Sequence, residues 1–288
     1  MKDNESQIPQ PPPLQEIAKL EMLGAQFVRY SFAGGSPTFG SPHESIYGMK
    51  DSLTDAVTVF CVKDSEARSV DEIITQYSVE NATKRFDWWI GTSTTECRKS
   101  LLRADLESRG FVKQTGGTMY DLWSYPKDIK TPLAPSTSTI DMEYDIQEVV
   151  YINELKERWL FLGESLAMSE NVIKRGFEGE KLLAFGPGTD VRHFVARRKS
   201  DRSIIGSASI SFFEGVAYVF FVAAKDDGVS TALVLYIFDM QSWDPLRKDG
   251  TCLIGIDTRD VLVKERYEQL GFKTLPFNIE GYVWKGLE

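Results

Sequence analysis

The stretch Lys225-Asp-Asp-Gly-Val-Ser-Thr-Ala232 lies between two apolar runs, the pattern of a strand edge feeding a helix. The first turn of a helix leaves N–H groups without intrahelical partners, and its dipole favours negative charge, so such a junction is a ready anion site. Gly228 would let the backbone approach an anion closely. Asp226 and Asp227 oppose this, since a like charge at close range costs on the order of 1 kcal/mol even in a well-solvated setting. Asp257 ends a strand and precedes a helix, where it would orient a water or, more ordinarily, cap that helix. The remaining polar candidates have plainer readings. His193 stands alone on an alternating strand, a structural position, and Glu214 sits in a hairpin turn. Arg197-Arg198-Lys199 marks a strand end in solvent, and His43 lies in a glycine-proline loop where only a lid would use it.

Composition narrows the field. The 33 basic and 42 acidic side chains give a formal charge of −9, so the chain lacks the electrostatic footprint of a nucleic-acid binder. Cys61, Cys97 and Cys252 are odd in number and far apart, which argues against a disulfide framework or a zinc site. With His43 and His193 the only histidines, no metal centre is expected. The polar start lacks a secretory pattern, and Val216–Ala224 is too short to span a bilayer. A cytoplasmic protein without membrane or nucleic-acid partners is the expectation, its oligomeric state open.

The elements that must position these residues follow from periodicity and punctuation. Residues 1–13, with QIPQPPP, read as a disordered tail, and Leu14, Ile17, Leu20 and Leu23 as a helix. Ser31–Pro42 reads as a long loop. Strands are expected at Ala56–Val62, Phe86–Ile90 and Met119–Trp123, with helices from Ser69 and from a capping box at Ser93–Glu96. Lys127–Asp141, rich in proline, serine and threonine, reads as a linker between a domain at 14–126 and another at 142–288. In the second, strands are expected at Ile146–Val150, Val191–Arg197, Ile204–Phe213, Val216–Ala223, Cys252–Ile256 and Gly281–Trp284. Helices are expected at Asn153–Met168, from Glu170 to Phe177 or beyond, at Gly228–Trp243 and at Arg259–Leu270. A strand leading to a helix closed by Gly-Phe occurs in each half, at Gly110-Phe111 and Gly271-Phe272, which suggests two copies of one α/β module. Trp88, Trp89 and Trp123 sit in apolar strands and read as core rather than as a pocket wall.

Three features of the second half, in order, resemble the GNAT N-acetyltransferase superfamily. The hairpin Gly206–Ala224 looks like that family's third and fourth strands, Lys225–Leu233 falls at its pyrophosphate loop, and Tyr267-Glu-Gln-Leu-Gly-Phe272 is similar to its Tyr-x-x-Leu-Gly-Phe ending. In the first half, Phe86–Gly91, Leu106–Phe111 and Gly117–Leu122 look like the degenerate half of two-domain GNAT proteins. The resemblance implies an α/β fold of two GNAT-like domains, each a mixed, mostly antiparallel twisted sheet flanked by helices. It further implies acetyl-CoA beside the strand Tyr218–Val222, with Phe221, Val222, Lys225, Gly228, Val229, Ser230 and Thr231 holding it. Tyr267 would be the acid that protonates the departing thiolate, its packing against Leu270 and Phe272 being the plainer reading. The sequence departs from the family pattern at the loop: only five residues separate Val222 from Gly228, and Lys225 and Ser230 replace the usual arginine or glutamine and second glycine.

The implied activity is acetyl transfer from acetyl-CoA to an amine of a small molecule, with water or an unassigned group as base. The acidic loop leaves two alternatives. One is the same scaffold turned to decarboxylation, cyclisation or isomerisation; the other is a binding module without catalysis. The first half, lacking a phosphate loop, is expected to be a structural partner.

Overall fold

The computed structural model describes residues 12, 16–17, 19–20, 37–39, 46–51, 56–61, 70–72, 74–75, 85–91, 96–114, 120–129, 143–182, 185–213, 215–243, 253–258, 260–275 and 280–285. In chain order, the first half contributes β1 (Pro37–Phe39), β2 (Ile46–Asp51), β3 (Ala56–Cys61), β4 (Arg85–Ile90), α1 (Glu96–Ser108), β5 (Val112–Lys113) and β6 (Tyr120–Ser124). The second contributes β7 (Tyr144–Glu148), α2 (Ile152–Ser165), α3 (Glu170–Lys181), β8 (Val191–Arg198), β9 (Ile204–Phe213) and β10 (Val216–Ala224). It ends with α4 (Asp227–Trp243), β11 (Leu253–Thr258), α5 (Val261–Gln269), β12 (Lys273–Thr274) and β13 (Glu280–Lys285).

These strands form two mixed sheets, one of six strands in the order β1-β2-β3-β4-β13-β5 and one of seven in the order β12-β6-β11-β10-β9-β8-β7. Pairing is antiparallel except at β3–β4 and β10–β11, which are parallel. A parallel pair needs a crossover. Helix α4 supplies it for β10–β11, and its Val229, Leu233, Val234, Ile237 and Phe238 are buried with Tyr267 of α5 and Leu270 at that helix's end against one face of the seven-stranded sheet. Each such fully buried apolar side chain contributes roughly 1.5–3 kcal/mol. The opposite face is covered by α2 through Leu155, Trp159 and Leu162, and by the helical residues Ile17 and Leu20. Helices α2 and α3 approach closely because Gly163 and Gly176 carry no side chain: a Cβ on Gly176 would fall 2.1 Å from the Trp159 ring.

The strand–helix–glycine unit does occur in both halves. Phe111 N–H donates to Leu106 O and Phe272 N–H to Tyr267 O, each at 3.0 Å, past glycines at φ 82° and 105°. Only a residue without Cβ enters that left-handed turn freely. Leu106 therefore occupies in the first half the place that Tyr267 holds in the second. After each unit comes a two-residue strand, β5 or β12, and the next strand then leaves its own half. β6 lies in the second sheet between β11 and β12, and β13 in the first between β4 and β5. The exchange puts Leu122 into the second core and Tyr282 into the first. Hydrogen bonding thus crosses the division that the sequence suggests at 127–141.

Several expectations change in detail. Pro37–Phe39, inside the stretch read as a loop, is a strand paired with β2. Helix α5 starts at Val261 rather than Arg259. Asp260, not Asp257, caps α5, its Oδ1 accepting from Leu262 N–H at 2.8 Å. His43, Glu214, Cys252, Met119, the capping residues Ser93–Thr95, and nearly all of the expected tail and linker lie outside the described residues.

Candidate active-site cleft

The parallel register between β10 and β11 ends at Val219↔Ile256, although β10 continues to Ala224. On its other edge, against β9, the register of β10 shifts between Phe220 and Ala223. Phe221 sits there at φ 50°, a left-handed conformation costly for a residue with a Cβ. The irregularity reverses the strand's alternation. Ala217 and Val219 face the α4 side, and beyond it Val222 and Ala224 take that face. Phe220 and Phe221 consequently both turn toward the α2 side.

Where the two strands part, a cavity of about 370 Å³ opens. Its sides are β10 from Val219 to Ala224 and β11 from Ile256 to Thr258. Ser165 and Leu166 close it from the end of α2, Asp226, Asp227 and Ser230 from the start of α4, and Val263, Arg266 and Tyr267 from α5. Phe221, Val222, Ser230 and Tyr267, all singled out from sequence, thus meet in one cleft. The other four do not line it. Lys225 is exposed and its N–H donates to Ile205 O at 2.8 Å. Gly228 is exposed on the first turn of α4, Thr231 is half-buried, and Val229 is 2% exposed in the core against Gly206.

Tyr267 is 2% exposed, and burial pushes its phenol up to about 12, with Asp257 adding in the same direction against a hydrogen bond with Ser230 and the charge of Arg266. The hydroxyl keeps its proton throughout the neutral range. At the mouth, the carboxylates are already engaged. Asp226 Oδ1 accepts from Val229 N–H at 2.9 Å and its carbonyl from Ser230 N–H at 3.2 Å, so Asp226 is the N-cap of α4. Asp227 pairs with Arg266 at 2.7 Å. An Asp standing before an apolar helical run is an N-cap signature, and that signal in the sequence identifies Asp226's role.

Behind Phe221 lies a buried polar cluster, of which the sequence singles out only His193, as a structural group. Arg158, Glu180 and His193 are each fully buried. Arg158 Nη1 pairs with Glu180 Oε2 at 2.8 Å, and Trp159 Nε1 donates to the same oxygen at 2.7 Å. Arg158 Nε donates to Ser207 Oγ at 3.0 Å and Nη2 to Ser209 Oγ. His193 Nδ1 meets Ser209 Oγ at 2.9 Å. Burial first, and the charge of Arg158 second, hold the imidazole well below its ordinary pKa, and it is neutral. The signal for this cluster was the alternation Ser207-Ala-Ser-Ile-Ser211, which aims hydroxyls at a face otherwise covered by apolar helices.

The first half has no such opening among its described residues. β3 and β4 stay paired to their common end at Cys61↔Ile90, and no phenol stands at Leu106. Trp88 and Trp123 are 0% and 3% exposed, within the cores. Among the described residues no group of three or more His, Cys, Asp or Glu is arranged to hold a metal ion, and no helix is long and apolar enough to cross a membrane.

No protein-family model and no curated protein sequence matches the chain. Solved structures do resemble it. A GCN5-related N-acetyltransferase from Kribbella flavida aligns over 93% of this chain and 94% of its own, at 12% identity and a TM-score of 0.58. A tandem GNAT protein from the clavulanic acid biosynthesis pathway aligns over 84% and 79%, at 10% identity and a TM-score of 0.57. A functionally unknown conserved protein from Staphylococcus epidermidis covers 89% and 96%, at 12% identity and 0.55. At such identities the likeness is one of fold: the chain has the mixed α/β fold of GCN5-related N-acetyltransferases.

Proposed function

Proceeding from the GNAT fold, we propose that the chain is an N-acyltransferase that moves acetyl from acetyl-CoA to the amine of a small molecule. The observation carrying this reading is the cleft where β10 parts from β11, with a proton-bearing phenol in its wall. The cofactor would supply an acyl carbon activated as a thioester. In fit, Phe221, Val222 and Ala223 give the cleft an apolar wall along β10 for a narrow arm, while Asp226, Asp227, Asp257 and Arg266 bring charge to the rest of its lining. The start of α4 lies at the mouth as an anion seat, with Ser230 on its first turn, and Gly228 would let phosphate close to the backbone there. Lys225, Val229 and Thr231 place no side chain in the cleft, and the N–H groups of Lys225 and Val229 are already given to Ile205 O and Asp226 Oδ1.

Tyr267 holds a proton across the neutral range and would deliver it to the departing sulfur. Asp257, on the same wall, would orient the water that takes the proton of the attacking amine. The seat for the diphosphate is the weak part of the fit, because Asp226 already supplies an anion to the helix start. Removing that charge while keeping the cap should strengthen binding by about three- to tenfold, the equivalent of roughly 1 kcal/mol. Calorimetric titration with acetyl-CoA tests this. Micromolar binding by the wild type, tightened in Asp226→Asn, supports transferase chemistry. Absence of binding in both proteins would sink it.

The same occupied helix start favours a second reading, a GNAT scaffold repurposed for a ligand without phosphates. That reading gains if Asp226→Asn leaves the protein unresponsive to acetyl-CoA while apolar amines alone shift its melting temperature.

A further inference from the structure

We propose that Arg158 is a positioning residue for the cleft: its guanidinium, locked by Glu180, holds the irregular turn of β10 in the form that parts it from β11. The relevance to acyl transfer rests on the reading above; the structural role does not.

Three observations converge on it. First, the β10 irregularity faces one short piece of β9, where Phe220 pairs with Ser209 and Ala223 with Ser207, so the two residues between are spanned on the β9 side by a single one. Arg158 donates to both of those serines, Nε to Ser207 and Nη2 to Ser209, and so bridges the partner strand across the mismatch. Second, the same guanidinium lies 5.9 Å from the centre of the Phe221 ring, and Trp159 meets that ring edge-on at 5.5 Å. Glycine would take the left-handed backbone of this position without strain. A phenylalanine is tolerated because its ring is held in an aromatic and cationic seat. Third, the ion pair is dry. Arg158 and Glu180 are both fully buried, and such a pair is a poor source of stability against an apolar substitute. What it adds is a defined geometry: five elements, α2, α3, β8, β9 and β10, meet at it through Arg158, Glu180, His193, Ser209 and Phe221.

A structural pair and a positioning pair differ in where loosening occurs. The test is hydrogen exchange by mass spectrometry on the full chain, read separately over 218–224 and over α4, with urea unfolding and acetyl-CoA titration on the same samples. The double variant Arg158→Met, Glu180→Gln leaves no unpaired charge, and its amide can still accept from Trp159. Exchange over 218–224 should rise at least tenfold while α4 is unchanged, and affinity for acetyl-CoA should fall at least tenfold. Phe221→Leu, which keeps both charges, should reproduce the local loosening, and Phe221→Tyr should restore wild-type exchange. Phe221→Gly separates backbone from ring: loosening is expected although strain is relieved. Unchanged exchange over 218–224 in the double variant and in Phe221→Leu would overturn the proposal, as would loosening spread evenly over the chain. If the wild type fails to bind acetyl-CoA, the transferase reading falls alone, because the exchange pattern still decides the role of Arg158.

Discussion

Tyr267 illustrates how position rather than residue type sets a proton's fate. Its phenol is raised to about 12 chiefly by burial, against an ordinary 10, so folding favours the protonated form. The stability this contributes is fully present below pH 10 and is lost as pH rises through about 12, a slope on the order of 2 to 3 kcal/mol in all. Alkaline unfolding followed by circular dichroism should therefore steepen between pH 10 and 12, and Tyr267→Phe should flatten that segment. If Tyr267 also serves as the acid, the same variant should lower kcat at least tenfold with little change in KM, since the phenol is needed when the sulfur departs. A fall in stability without any fall in kcat would leave Tyr267 as a packing residue beside Phe272, whose ring centre lies 5.6 Å away.

Helices α2 and α3 depend on closeness. Gly176→Ala would drive a methyl into the Trp159 ring, and its expected cost is about 2 kcal/mol, read as a lower urea midpoint at unchanged slope. Because Trp159 also holds Glu180, that variant should loosen the Phe221 region too. The elements themselves were legible in the sequence: the Ile204–Phe213 and Val216–Ala224 hairpin, and both helices closed by glycine, follow from local periodicity and punctuation. Phe221, Val222, Ser230 and Tyr267 were within reach only through the resemblance of their segments to GNAT motifs, not through local periodicity. The irregularity at Phe221 was not, since a left-handed phenylalanine has no local signature and is imposed by contacts from α2. Arg158 and Glu180 were also hidden, and His193 was legible only as a lone structural group: their separation along the chain is closed only by packing, and each alone resembles an ordinary helix or strand residue. Short strands such as Pro37–Phe39 and Lys273–Thr274 owe their existence to a neighbour's edge rather than to their own residues.

At the scale of the whole molecule, the exchanged strands make each sheet depend on the other half of the chain. Glu280 of β13 is the fastening point. Arg103 of α1 donates to it through Nε at 2.8 Å and through Nη2, and Lys113 of β5 lies at 3.3 Å. Those partners, Arg103 first, hold its carboxyl down to about 2 from an ordinary 4.5, against a smaller effect of burial. The stability gained is present above pH 4.5 and disappears as pH falls through about 2. Acid titration followed by tryptophan fluorescence should report β13 loosening in that window, because Trp284 packs on Phe86 and Phe111. Glu280→Gln should remove the pH dependence of that signal. The exchange also has a consequence for how the protein is made. The strand that belongs between β4 and β5 is synthesised only after every strand of the second sheet. From Ile90 to Glu280, translation takes on the order of ten to forty seconds. During that interval β4 offers an unoccupied edge to any stray strand. The half that emerges from the ribosome first is therefore completed last, and its period of danger is set by translation speed rather than by its own rate of folding.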